Sequence, residues 1–142
     1  MEHGWAAVCL SDGKNVIDTP VSYLHDSLLE LAEMALIIKM GHTNSKVVFV
    51  QEPGELQFIV TITNKLAHYE VRQFKEWISG SARTSSNYEI VLHGNTAPAR
   101  IVQQITQVLW KIQQKIGIEA YQVRWQHPFP MQQFKQLGLD SN

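Results

Sequence analysis

Two segments of the chain are patterned as amphipathic helices, and the segment between them is patterned as a series of strands. The helical segments are residues 27–40 and 98–116. From residue 46 to residue 93, apolar and polar residues alternate with the period of a strand that has one buried face. This separation of strands from helices predicts an α+β fold, in which both helices pack on the apolar face of an antiparallel β-meander.

The first helix is apolar on nearly all sides, so we expect the rest of the protein to cover most of it. Ser27, followed by Glu30 three residues later, predicts a capping box at its start, because each side chain can accept a hydrogen bond from a free backbone N–H group. Gly41 predicts the end of this helix.

Short apolar or alternating segments mark the strands. The predicted strands are residues 5–10, 14–17, 47–50, 56–63, 66–73 and 88–93. The first two can pair as a hairpin through the turn 11–13, and an irregular connection through Pro20 follows. Residues 52–55 and 64–65 predict further turns, and residues 79–87, rich in Ser and other small residues, predict a loop.

The second helix presents two distinct faces. Thr96 predicts its N-cap, and Pro98 is tolerated in its first turn. The apolar stripe consists of Ile101, Val102, Ile105, Val108, Leu109, Ile112 and Ile116. The opposite face carries Gln103, Gln104, Gln107, Lys111 and Gln114, which fits either a solvated surface or a docking stripe.

The tail, residues 118–139, is rich in aromatic residues: Tyr121, Trp125, Phe129 and Phe134. Aromatic side chains outside regular structure usually pack against a core, because exposed they would form an adhesive patch. The sequence predicts a segment wrapped back onto the domain, with a peptide-binding groove as the alternative.

Composition limits the classes of partner. The chain has 142 residues, of which 44% are hydrophobic, and its net charge is -1. We expect a single globular domain that contains enough apolar residues for its own core. The near-neutral charge does not favour nucleic acid as a partner, because phosphates must be neutralised. The apolar stretch at residues 28–40 is too short to span a bilayer, so we expect a cytoplasmic protein without a membrane partner.

One cluster of chemically active residues depends on strand pairing. If Arg72 lies opposite Glu89 in an antiparallel pair, then His68 lies opposite His93, with Glu70 on the same face. Two imidazoles and a carboxylate can hold zinc and leave one position open for a substrate. This arrangement supports a zinc-dependent hydrolase as an alternative function.

The same face predicts a protein interface. Ile59 and Val91 form an apolar centre among polar neighbours, as in the centre and rim of an interface. The predicted partner-binding residues are Gln57, Ile59, Thr61, His68, Glu70, Arg72, Glu89 and Val91, with the acidic residues Glu52 and Glu55 as an extension. We therefore predict a binding protein rather than an enzyme, and no cofactor.

Several short motifs are spread along the chain from residue 26 onward: Asp26-Ser27-Leu28-Leu29-Glu30-Leu31, Glu52-Pro53-Gly54-Glu55, the segment 74–77, and Tyr121, Trp125 and Pro128-Phe129-Pro130. With the order of elements, they resemble a group of small bacterial proteins that includes immunity proteins of secreted polymorphic toxins. The resemblance implies a non-catalytic protein that binds and blocks one cognate toxin in the cytoplasm. It carries over no binding residue, because such proteins meet unrelated toxins through different surfaces.

A third possibility is a structural adaptor. An exposed strand edge, or the Gln-rich face of the second helix, can pair with a second copy of the chain to form a homodimer.

Overall fold

The computed structural model describes residues 5–11, 16–22, 26–51, 54–76, 88–115 and 129–140. The strands are β1 (Trp5–Ser11), β2 (Val16–Ser22), β3 (Asn44–Val50), β4 (Glu55–Thr63), β5 (Leu66–Phe74) and β6 (Tyr88–Thr96). The helices are α1 (Ser27–Lys39), α2 (Pro98–Lys115) and α3 (Met131–Asp140). Predictions that lie outside the described residues are those for 12–15, Glu52, Pro53, Trp77, 79–87, Ile116, Tyr121, Trp125 and Pro128.

Strands β3 to β6 form one antiparallel sheet in the order β3-β4-β5-β6, so each strand pairs with its neighbour along the chain. The predicted meander and the α+β class are confirmed. Strands β1 and β2 pair with each other as a separate antiparallel hairpin. The expected irregular connection at Pro20 is wrong, since Pro20 lies within β2 opposite Ala7. A two-stranded sheet consists of edge strands, where a residue without an N–H group is tolerated.

The helices pack against one face of the sheet, here called the inner face; the opposite side is the outer face. Fully or almost fully buried side chains from every layer meet in the core, among them Ala32 of α1, Leu56 and Val71 of the sheet, Leu109 of α2 and Leu137 of α3. The prediction that α1 is a core helix is confirmed. Among the described residues, no helix combines the length and the apolarity needed to cross a bilayer.

Helix α1 begins with a different cap from the one predicted. Asp26 is the N-cap, and its side chain accepts a hydrogen bond of 3.2 Å from the backbone N–H of Leu29. Ser27 and Glu30 bind strand β3 instead: Ser27 Oγ donates to the carbonyl of Val48 at 2.5 Å, and Glu30 Oε1 accepts from the Val48 N–H at 2.8 Å. Strand β3 is an edge of the sheet, so these bonds occupy backbone groups that are otherwise open to pairing.

Positive backbone φ angles occur at three of the predicted chain reversals, one of which contains Gly54 with φ +98. Gly41 has φ +92 and follows the C-cap of α1, as predicted. Asn64 and Lys65 join β4 to β5 with φ values of 53 and 65. Positive φ at both central residues is typical of the two-residue turn that fits the twist of antiparallel strands, so the predicted turn is confirmed.

Helix α2 begins at Pro98 as expected, but Thr96 is the last residue of β6. Ile101, Ile105 and Leu109 are buried, whereas Val108, predicted in the same stripe, is 44% exposed. The five polar residues of the opposite face are all exposed. Trp110 is 54% exposed on the same helix.

The tail contains a helix that was not predicted. Helix α3 follows Pro130 directly, and its Leu137 is fully buried in the core. Phe129 is buried and contacts Phe134 of α3 edge to face, with ring centroids 5.9 Å apart. For the described part of the tail, the expectation of a segment packed on the core is confirmed, but its irregular conformation is not.

Candidate interaction surface

The outer face of the sheet contains a shallow concavity of about 440 Å³. Ten residues of β4, β5 and β6 line it, including Tyr69 and Gly94. We call the other eight the outer-face patch: Ile59, Thr61, His68, Glu70, Arg72, Ile90, His93 and Asn95. Five of them were among the predicted partner-binding residues. The structure therefore brings together the larger part of the surface that the alternation indicated.

The strand register explains why these side chains meet. Directly opposed residues of antiparallel strands lie on the same face of a sheet. The pairings give three rows across the strands: Thr61, His68 and Asn95; Ile59, Glu70 and His93; and Gln57, Arg72 and Ile90. Strand β5 occupies the middle of each row, so its three polar residues lie at the centre of the patch.

A β-bulge changes which residues of β6 belong to this face. The register shifts between Val71 and Arg72, so that Val71 pairs with Leu92 but Arg72 pairs with Ile90. Val91, left between them, packs against the hydrophobic core, whereas Ile90 is 46% exposed on the outer face. The prediction that Val91 lies on the outer face is wrong, because an extra residue in one strand reverses the alternation beyond it.

The β5–β6 register on which the zinc site depended is also wrong. Glu89 lies opposite Gln73, one residue further along β5 than expected. His93 lies opposite Glu70 rather than opposite His68. Within the described part of the chain, no group of three or more His, Cys, Asp or Glu side chains is arranged to hold a metal ion. The geometric basis of the hydrolase alternative is therefore missing at these residues.

Two further predicted residues are buried. Glu55, expected in a solvated turn, is the first residue of β4 and is 0% exposed, while Gln57 is 7% exposed. Glu55 pairs with Val50 on one side and Phe74 on the other, and both of these neighbours are buried as well. Gln57 Nε2 donates to Glu55 Oε2 at 2.7 Å, as expected for polar groups inside a protein. Neither residue offers a surface to a partner.

The polar residues of the patch hold one another in place. The Nδ1 atom of His68 lies 2.5 Å from Oδ1 of Asn95, and with the amide oxygen as acceptor the ring carries its proton on Nδ1. Arg72 Nε donates to Glu70 Oε2 at 2.5 Å. The guanidinium of Arg72 also lies over the ring of Tyr88, 4.4 Å from its centroid. Aromatic and carboxylate contacts together fix the direction of this charged group.

The Arg72–Glu70 ion pair contributes little to the stability of the fold. The two side chains are 29% and 33% exposed, and ion pairs at this depth contribute roughly 0–1 kcal/mol. Its main effect is geometric, since it places a positive and a negative group side by side on the concave surface.

Three residues of the patch lie outside the predicted partner-binding set, for different reasons. His93 is predicted only as part of the zinc site. Asn95 continues the alternation of His93, so extending the predicted strand beyond residue 93 includes it. The predicted alternation places Ile90 on the face opposite to that of Val91, and its true position depends on the bulge. No local pattern marks that bulge, because it arises from the pairing of two strands.

Comparison of the chain with protein-family models, with curated protein sequences and with solved structures gives no significant match.

Proposed function

We propose that this protein is a non-catalytic binding protein and that the outer-face patch is its contact surface. The observation that carries the proposal is the concavity of about 440 Å³, in which half-buried Ile59 on β4 and exposed Ile90 on β6 flank the polar side chains of β5. Apolar side chains interspersed with polar ones are usual in protein interfaces, which as a whole are about as apolar as the rest of a protein surface.

The polar contacts within the patch support this role. His68 is bonded to Asn95, and Arg72 is held between Glu70 and Tyr88. Side chains that are already ordered lose less conformational entropy when a partner binds, which strengthens binding without additional contact area. Adjacent groups of opposite charge also favour a partner with the complementary pattern, so they contribute specificity.

We propose further that the partner is a bacterial protein toxin, which the patch neutralises by occlusion in the cytoplasm. Support for a toxin as the partner comes from the resemblance in element order and in the motifs that begin at Asp26 and at Glu52. Occlusion requires a rigid surface and no cofactor. The hydrogen bonds that His68 and Arg72 form within the patch favour such rigidity.

A homodimeric adaptor is the second candidate, and the edges of the sheet favour one version of it. Near Val48 the edge strand β3 is occupied by Ser27 and Glu30. Strand β6 is the opposite edge of the sheet and carries exposed Ile90. A strand of nine residues at an edge can pair with the same strand of a second copy.

Affinity capture distinguishes these candidates. The tagged full-length protein is incubated with lysate of its native host, washed at high salt, and analysed by mass spectrometry and sedimentation. The immunity proposal predicts one stoichiometric toxin-like protein in the eluate. Recovery of the bare monomer, when the toxin candidate is demonstrably expressed, contradicts it. A concentration-dependent dimer without a heterologous partner favours the adaptor.

A further inference from the structure

A second cavity, of about 490 Å³, lies on the inner face of the sheet. Apolar side chains from the helices and the sheet form most of its wall, among them Leu31 of α1, Phe58 of β4, Leu92 of β6 and Ile105 of α2. Its volume falls within the range of about 300–1,000 Å³ that is usual for small-molecule sites. The outer-face patch is on the opposite side of the sheet, and among the described lining residues the two concavities share Tyr69 alone, so a ligand in this cavity goes beyond the proposed function.

Four polar side chains interrupt this apolar wall: Tyr69, Thr96, Arg100 and Gln104. Thr96 ends β6, and Arg100 and Gln104 lie one turn apart on the same side of α2. Among the described residues, none of these four side chains forms a hydrogen bond or an ion pair. Their donors are therefore available to a molecule in the cavity.

The position of Tyr69 is fixed by its neighbours. Its ring meets Phe58 edge to face, with centroids 6.4 Å apart. On β6 the phenol lies directly against Gly94, where a Cβ atom would be 2.5 Å from the Tyr69 hydroxyl oxygen. Glycine thus permits this close approach. Thr96 is two residues further along the strand, so the hydroxyls of Tyr69 and Thr96 belong to the same end of the cavity.

Charge selects the class of ligand. Arg100 is the only charged residue among the described residues that line the cavity. A guanidinium matches the planar geometry of a carboxylate and binds it through two parallel hydrogen bonds. One positive charge beside hydroxyl and amide donors suits a head group with a single negative charge, and the apolar wall suits a hydrocarbon body.

We propose that the inner cavity binds a small carboxylate amphiphile, with its apolar body between the sheet and α2 and its carboxylate on Arg100. Tyr69 donates a further hydrogen bond to the head group. Residues of α1, β4, β6 and α2 enclose the body.

Titration of the full-length protein with dodecanoate, followed by calorimetry and by amide chemical shifts, tests this proposal. We expect one dodecanoate per protein and shift changes confined to the inner cavity. Arg100→Ala should weaken binding at least tenfold, and Tyr69→Phe, which keeps the ring, should weaken it a few-fold. Dodecanol, which lacks the charge, should bind at least tenfold more weakly than dodecanoate.

Arg72→Ala is the matched control, because it removes a guanidinium from the outer face. It should leave dodecanoate affinity unchanged. Arg100 is exposed, so its replacement is compatible with folding, which circular dichroism checks. The proposal is overturned if dodecanoate fails to bind at about 1 mM. It is also overturned if the chain's own residues keep the cavity filled, so that amide shifts there do not change on titration. Equal effects of Arg100→Ala and Arg72→Ala would overturn it as well.

Discussion

Replacement of serine by alanine should have opposite effects on the free energy of unfolding at two positions, Ser27 and Ser45. Ser27 is 3% exposed, and its hydroxyl donates to the carbonyl of Val48 at 2.5 Å. Ser45 Oγ is buried without a hydrogen-bond partner in the described part of the chain. Ser27→Ala leaves a β3 carbonyl unpaired, which should lower the free energy of unfolding by about 1–3 kcal/mol. Ser45→Ala removes an uncompensated hydroxyl and should leave this free energy unchanged or raise it by up to about 1 kcal/mol.

Equilibrium unfolding in urea, monitored by tryptophan fluorescence and circular dichroism, measures both effects. With a denaturant slope of about 1–3 kcal/mol per M, a loss of about 2 kcal/mol lowers the midpoint by about 1 M. The reasoning is refuted if Ser27→Ala stays within about 0.5 kcal/mol of the wild type. It is equally refuted if Ser45→Ala destabilises the protein as much as Ser27→Ala does.

The same assay checks the expected effects of four further substitutions. Gly54 has φ +98, and an added Cβ would overlap the carbonyl oxygen of Phe74, so Gly54→Ala should destabilise by about 2–5 kcal/mol. Gly41→Ala, at φ +92 with nothing within 4 Å, should lose only about 1 kcal/mol, and equal losses would contradict the steric argument. Lys65→Gly should stabilise by about 0.5–1 kcal/mol, since Lys65 has φ 65; a loss would contradict this. Leu137→Ala should destabilise by about 2–5 kcal/mol, and a smaller effect would show that α3 adds little to the core.

Hydrophobic periodicity predicted the strands of the sheet and the first two helices because each of them buries one face. Leu56, Val60 and Val71 lie in the core as their alternation indicates. Asn64 and Lys65 form the expected turn, since the segments on both sides end in register there. These features depend on local pattern, which a single sequence contains.

Features that depend on which distant residue a side chain contacts within the fold were predicted less well. Ser27 and Glu30 match a capping box, but strand β3 supplies a competing partner and Asp26 takes over the cap. Glu55 matches a solvated turn but is enclosed between two buried neighbours. Ile90, rather than Val91, lies on the outer face because of a bulge in the β5–β6 pairing. In each case a contact distant in sequence decides the outcome.

Helix α3 was not predicted, and the reason is different. The aromatic residues of the tail suggested an irregular wrapped segment, although Met131, Phe134 and Leu137 have the three-residue spacing of a short helical stripe. Pro130 directly before them is a common helix start. Counting that spacing in place of aromatic density would have identified the helix.

The central claim is that the outer-face patch binds a single protein partner. Its most direct test is the affinity of the captured partner for three forms of the full-length chain: wild type, Ile90→Arg and Trp110→Arg. Trp110 is the matched control because it is also an exposed apolar residue but lies on helix α2, outside the patch. Its exposed fraction is 54%, compared with 46% for Ile90.

Calorimetric titration of the purified partner gives the three dissociation constants. We predict that Ile90→Arg weakens binding by at least about tenfold, because it replaces an apolar contact of the patch with a charge, whereas Trp110→Arg leaves the affinity within about twofold of wild type. Full affinity of Ile90→Arg, together with loss of binding by Trp110→Arg, would contradict the account and place the interface on α2.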